Sequence, residues 1–415
     1  MRLFKIFVIL FFTWFTLPIQ AENGVSSPYT RYGFGQLSAM ETGVNKGMGG
    51  AGIGVHNSNQ INMLNPASYA AVDTLTFLLD VGMSMSNTRF SEGVARVNSN
   101  SATFDYIAMQ FRLAPRLGVT IGLTPFSNIG YDFGETKTIQ NDDMSKIDAT
   151  SRYYGLGGLR QVTFGLGYMP IKGLAVGTNL SYVYGEAYHY VYNQYSDASI
   201  SSRVRQYRSD VSTYNAELGV QYQAVAGKSK FTLGTTYQFG HDIDDKVYVI
   251  ETMEQINDTI SDRGVLSMPS SYGFGLSYSF DERLTIAVDY SLQRYGDVEF
   301  FGEKGVNRHR GAFGVEYIPE HFTRKLFRRA RYRAGVHYAT AHYMVDGKPG
   351  PTEYGAVVGI GLPIMNRWNG QSVINISGQY IHVRPNAPGM ITENSLRLNI
   401  GLSLNETWFN KWRVQ

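Results

Sequence analysis

The chain has 415 residues, with 37 Lys and Arg against 34 Asp and Glu and a formal net charge of +3, too mild a balance to mark a nucleic-acid binder. It has no cysteine, which excludes a disulfide framework, thiolate metal sites and a cysteine nucleophile. Charged residues make up only 17%, against a usual share of about 25%, while aromatics reach 13% and glycine fills 45 positions; that composition is odd for a soluble enzyme.

At the N-terminus, Arg2 and Lys5 precede an almost wholly apolar run from Ile6 to Leu17, and Ala21 offers a small residue for cleavage. This is the layout of a secretory signal peptide, and the run is shorter than the roughly 20 residues of a spanning helix. Residues 1–21 are therefore expected to be removed on export. No cysteine follows the run, so a lipidated N-terminus is not expected. No later apolar segment is long enough for a membrane helix, which leaves open a membrane protein that crosses with strands.

Residues 22–73 read as a separate N-terminal segment. Its centre, "GMGGAGIGVHNSNQINMLNPASY" from Gly47 to Tyr69, meets the G-x-G-x-x-G spelling of a nucleotide-binding loop at Gly47, Gly49 and Gly52. Such a loop needs a strand before it and a helix after it. Here no apolar run precedes Gly47, and the Gly- and Asn-rich stretch that follows is poor helix material. The glycines read instead as backbone that must pass close to a wall in unusual dihedrals. Asn and Ser side chains satisfy the backbone groups left over, and Pro66 fixes the approach to the first strand without needing a donor.

From about Thr74 the period is two. In "SYGFGLSYSFDERLTIAVDYSLQ", Tyr272, Phe274, Leu276, Tyr278 and Phe280 alternate with small residues. The pattern resumes at Leu284, Ile286, Val288, Tyr290 and Leu292 after the turn at Asp281-Glu282-Arg283, so one face is greasy and the other small or polar. "VTFGLGYMPIKGLAVGTNLSYVYG" and "AELGVQYQAVAGKSKFTLGTTYQFG" read as two more hairpins. "NSLRLNIGLSLN" closes the series, with Leu396, Leu398, Ile400, Leu402 and Leu404 on one face. The pattern predicts about fourteen strands of roughly 10 residues or more, in the even-numbered range of outer-membrane barrels. Short connections follow Ala114, Met169, Ala224 and Phe280; long ones are expected near 91–101, 127–159, 195–204, 244–268, 296–306 and 386–393. That asymmetry matches short periplasmic turns opposite long outer loops. A propeller would repeat a blade motif, and a sandwich seldom runs this far. The expected fold is all-β: a transmembrane antiparallel barrel over 74–409, a hatch segment inside it over 22–73, and a short periplasmic tail at 410–415.

Few residues suggest chemistry. No histidine pair has metal-ligand spacing, and no G-x-S-x-G elbow or usable carboxylate pair occurs. The chain reads as a non-enzyme with no cofactor and no metal. "HDIDD" (241–245) has oxygen ligands but lacks the glycine and distal glutamate of a calcium loop, and it reads as a solvated loop, as does Asp142-Asp143. "EHFTRKLFRRARYR" is an unusually basic short turn; Arg324, Lys325, Arg328 and Arg329 are candidates for docking a partner or lipid headgroups, set against the reading of a plainly solvated turn, which charge runs usually are.

The run of glycines in "GAGIGV", the polar stretch and "NPASY" before the first strand resemble the hatch of FadL-type outer-membrane channels. The matching positions are Gly47, Gly49, Gly50, Gly52, Asn65, Pro66 and Ala67, whereas the family's acidic residues are replaced by His56-Asn57-Ser58-Asn59-Gln60. "SSPYTRYGFGQL" and "LNETWFNKWRVQ" resemble barrels of a Bacteroidota branch of that family. The resemblance implies an outer-membrane channel for passive uptake of long-chain fatty acids or other hydrophobic small molecules, gated by the hatch, with outer-membrane lipid and an apolar ligand as its contacts. The alternative it implies is an accessory barrel subunit, plug or shuttle, of a type IX secretion translocon.

Overall fold

A computed structural model describes residues 26–140, 146–197, 199–243, 246–253, 256–263, 266–300, 303–321, 323, 325–364 and 372–407. The expected signal peptide, the tail, Arg324, Asp142-Asp143 and the Asp244-Asp245 half of the "HDIDD" stretch lie outside the described residues. Eighteen segments pair edge to edge in one sheet. Setting aside the two-residue Gln36–Leu37, and joining three strands that are each interrupted once, leaves fourteen staves. In chain order β1 is Thr76–Glu92, β2 is Ala95–Ala114, and β3 is Leu117–Pro125 continued by Ser127–Gln140. β4 is Lys146–Ile171, β5 Leu174–Tyr195 and β6 Arg203–Ala226. β7 is Ser229–Gln238 continued by Lys246–Met253, and β8 is Ile256–Arg263 continued by Ser271–Phe280. The remaining staves are β9 Leu284–Gln293, β10 Arg308–Tyr317, β11 Arg331–Thr340, β12 Thr352–Pro363, β13 Val373–Arg384 and β14 Thr392–Thr407.

Every stave pairs antiparallel with the next, and β14 pairs with β1 from Thr76↔Thr407 to Ser91↔Thr392. The ring is closed. Closure gives each backbone donor and acceptor a partner within the wall, which strands need in hydrocarbon. The burial is inverted relative to a soluble protein. On β6, Leu218, Val220 and Tyr222 face outward and exposed while Gln221 is buried; on β14, Leu396, Leu398 and Leu402 are exposed while Asn399 and Asn405 are buried. Exposed Tyr168, Tyr222, Tyr317 and Tyr332 ring the short-turn end, and Tyr182, Tyr184, Tyr338 and Tyr380 lie farther along the wall. These are the aromatic girdles of a transmembrane barrel.

The wall has a tall side and a low side. β4, β5 and β6 run 26, 22 and 24 residues, whereas β9, β10 and β11 have 10 each. Three expected loops are therefore mostly strand. The 91–101 stretch is a hairpin turning between Glu92 and Ala95. The 127–159 stretch is largely the ladder from Ile129↔Gly157 to Gln140↔Lys146. The 244–268 stretch holds Lys246–Met253 paired with Ile256–Arg263. Above the lipid neither face has to be apolar, so the hydrophobic period fades while the hydrogen-bond ladder continues.

β3 carries one irregularity. Its partner on β4 shifts by one residue between Pro125↔Arg160 and Ile129↔Gly157. Pro125 has no donor to give the ladder, and the extra residue makes a bulge. Gln36–Leu37 pairs with Ser127 and Asn128 there.

Candidate functional site

The site is the lumen and the chain packed in it. Between Ser27 and Val72 the N-terminal segment touches inward-facing residues of strands all round the ring, which only a chain inside the barrel can do. It includes a short helix α1 (Gly43–Gly47) and a 3₁₀ turn (Pro66–Ala71). Asn65 caps that turn: its Oδ1 accepts from the Ala67 N–H at 3.0 Å, and its Nδ2 donates to the Ile53 carbonyl at 3.0 Å and to the Val220 carbonyl of β6 at 3.2 Å. One side chain thus ties two parts of the segment to the wall.

The seven residues singled out in the sequence all lie in this packed region. Gly49 and Gly50 have φ of +68° and +84°, which side-chain-bearing residues rarely adopt. Gly49 rests on the backbone of Gly335 and Val336 in β11, and Gly50 on the Arg310 guanidinium and Glu41. Gly47 sits over the Arg333 side chain, and Gly52 against Asn45 and Leu64. Pro66 lies against Gly177 and Gly219, and Ala67 is fully buried.

The sequence reading missed the other half of the contact, the wall. Gly118, Gly177, Gly234 and Gly335 point inward, and a Cβ at any of them would overlap the backbone of Tyr69, Pro66, Ile53 or Met48. Asp289 of β9 accepts the N–H groups of Gly52 and Ile53 at 2.5 and 2.8 Å. Gln221 donates to the Ile53 carbonyl at 2.9 Å, Ser277 to the Gly54 carbonyl at 2.7 Å, and Tyr69 to Asn179 at 3.0 Å. The signal was there in "LTIAVDYSLQ": a carboxylate on the inward parity of a membrane strand is costly unless something inside donates to it.

Toward the long-loop end the contact becomes ionic. Lys46 of α1 meets Asp105 of β2 at 2.6 Å, and Glu41 pairs with Arg310 of β10. Burial alone would raise the Glu41 carboxyl, but the Arg310 guanidinium and the Lys46 ammonium outweigh it and hold it below the usual range. These pairs border a polar cavity of about 200 Å³. Beside it stands an apolar cluster in which Phe34 and Leu37 of the segment meet Phe126 at the bulge, Leu159, Val183, Ile243 and Met268. Phe34 is edge-on to Phe126 at 6.0 Å.

The basic turn divides. Arg333 is buried inside the wall, donating to Glu316 at 2.6 Å and Asn375 at 2.7 Å, and Arg331 lies 3.5 Å from Glu316. Lys325, Arg328 and Arg329 stay at the short-turn rim on or beside the helix α2 (Leu326–Arg329), whose Leu326 and Phe327 are exposed. Among the described residues no cluster of metal-ligating side chains occurs.

The family model named BamG matches residues 3–415. The chain belongs to the BamG family. Three solved structures share this BamG-family chain's fold. The P. putida toluene transporter TodX aligns with a TM-score of 0.61 at 14% identity, over 89% of this chain and 99% of that one. A Pseudomonas aeruginosa FadL homologue gives 0.60 at 13%, over 90% and 99%. The CymD monoaromatic hydrocarbon channel gives 0.58 at 15%, over 90% and 98%. At these identities the likeness is one of fold, the FadL-type barrel expected from residues 47–69. No curated protein matches the chain in sequence.

Proposed function

We propose that this BamG-family barrel is an outer-membrane channel for passive entry of hydrophobic small molecules, long-chain fatty acids among them, gated by the segment around Gly47–Ala67. The observation that carries this reading is the apolar cluster at the long-loop end of the lumen, because the segment's own Phe34 and Leu37 are part of it. A ligand that takes the place of Phe34 loosens the segment as it binds, so occupancy and gating are coupled. Each buried methylene contributes about 0.8 kcal/mol, enough for long chains to select themselves. The fold it shares with channels described as toluene and monoaromatic hydrocarbon transporters supports the same reading. The test is uptake of radiolabelled palmitate into proteoliposomes. Wild type should take it up and Val183→Asn, which makes the wall side of the cluster polar and leaves Phe34 in place, should lose most of the rate; equal rates for both would overturn the proposal.

A second reading, an accessory barrel in a larger outer-membrane secretion complex, is favoured by the exposed Leu326 and Phe327 beside Lys325, Arg328 and Arg329. Charge reversal at the three basic positions should then release a co-purifying partner; an unchanged complex would remove the turn as its docking site.

A further inference from the structure

The tall side of the wall carries a ladder of aromatic side chains that the channel reading leaves without a role. On the outward face of β5, Tyr182 and Tyr184 are followed by Tyr188, Tyr190 and Tyr192. A strand tilted in a bilayer needs only about 9–11 residues to cross, so from Leu174 the crossing is complete near Tyr184. The upper three tyrosines stand above the lipid, on the face that continues the girdle. Tyr188 and Tyr190 lie 6.4 Å apart with ring planes 9° from parallel, Tyr190 and Tyr192 are 6.0 Å apart at 17°, and Tyr154 of β4 joins Tyr190 at 5.9 Å.

At the top of the ladder is a cavity of about 410 Å³ lined by Thr150, Arg152, Tyr154, Tyr192 and Gln194. Arg152 is directly opposite Tyr192, and Thr150 opposite Gln194. Asp132 of β3 holds the guanidinium at two points, accepting from Nε at 2.8 Å and Nη2 at 2.5 Å, which fixes its plane. The Arg152 side chain is nevertheless 62% exposed, and Tyr192 is 40% exposed. Two aromatic faces, a fixed guanidinium, an amide and a hydroxyl make a mixed surface, apolar where the rings lie and hydrogen-bonding at the rim. A sugar ring has the same division, with C–H groups on its face and hydroxyls at its edge.

We propose that this cavity binds a core sugar of the glycan carried by an outer-leaflet glycolipid, beyond the lipid-proximal sugars that bear its acyl chains. Position selects the lipid-borne source: the site continues the lipid-facing side about 26 Å of strand above Tyr184, at the height of a glycan carried by a lipid anchored beside the barrel. The cavity's five lining residues are also far fewer than the roughly 20–30 per side of a standard protein interface.

The test uses purified protein in detergent micelles, titrated with lipooligosaccharide, with lipid A that lacks the core sugars, and with the core oligosaccharide released from its lipid. The expected result is lipooligosaccharide bound at least tenfold more tightly than either fragment. Tyr192→Ala and Tyr154→Ala should each weaken it at least fivefold while Tyr192→Phe keeps it, and heat-modifiable gel migration checks that each variant barrel is folded. Equal binding of lipid A would overturn the sugar site, as would full binding by both alanine variants. Equal binding of the released oligosaccharide would overturn the lipid-borne source.

Discussion

Two of the places where the N-terminal segment is attached to the barrel work by different physics. From Met48 to Tyr69 its backbone lies directly on the wall, with glycine on one side or both and side-chain amides and carboxylates closing the hydrogen bonds. At Glu41 and Lys46 the side chains make the contact instead, in two ion pairs at the edge of a polar cavity. The first kind of contact has almost no room to change by degrees, since packed backbone yields only by separating. The second is set by charge and comes undone without displacing the wall. The gated segment proposed above fits this division, with a steric lock below and an electrostatic latch above.

The largest effect should come from breaking the lock. Gly118→Val puts a side chain into the Tyr69 carbonyl, and overpacking of this kind costs about 1–3 kcal/mol. The thermal midpoint read by heat-modifiable migration should fall accordingly, with wild-type behaviour contradicting the close approach. Next comes Asp289→Ala, which strands the Gly52 and Ile53 N–H groups. At about 1–3 kcal/mol for each buried group left unsatisfied, and with cavity water recovering part of that, a net loss of about 2 kcal/mol is expected in the same assay.

The latch should show the opposite profile. Glu41→Gln removes the charge of the Arg310 pair at a cost of about 1 kcal/mol, kept small because the glutamine Oε1 still accepts from the guanidinium. It should nonetheless produce brief conductance openings in planar bilayers that the glycine variant's heat-stability loss does not mimic. The smallest effect is on pH. The folded Glu41 carboxyl lies below its free value of 4.5, so its contribution is fully present above that value and lost as the pH falls through the lower folded one. Openings in wild type should therefore be rare at neutral pH and increase only below about pH 4.5, a rise absent from Glu41→Gln.

How much of this the sequence shows depends on where the residue faces. The lipid-facing residues of β6 and β14 announce themselves, because hydrocarbon demands apolar side chains at every second position. Gly49, Gly50 and Asn65 stand out because their spacing fits neither strand nor helix. Gly118, Gly177 and Gly335 look like the other small residues between aromatics, and nothing local marks which of them carry the plug. The tall strands are hidden for a related reason. Above the bilayer Thr136, Thr138 and Thr150 are under no apolar demand, so the period vanishes where the ladder does not. Arg331 and Arg333 read as part of one basic run, but strand parity sends Arg333 into the wall against Glu316 and Asn375, a pairing across 17 and 42 residues of sequence.

The most direct test of the account is single-channel conductance in planar bilayers of wild type and of a variant lacking residues 47–65. A lumen stoppered by this segment predicts a nearly silent wild type and a large, steady conductance in the deletion. A folded deletion variant that conducts no more than wild type would contradict it.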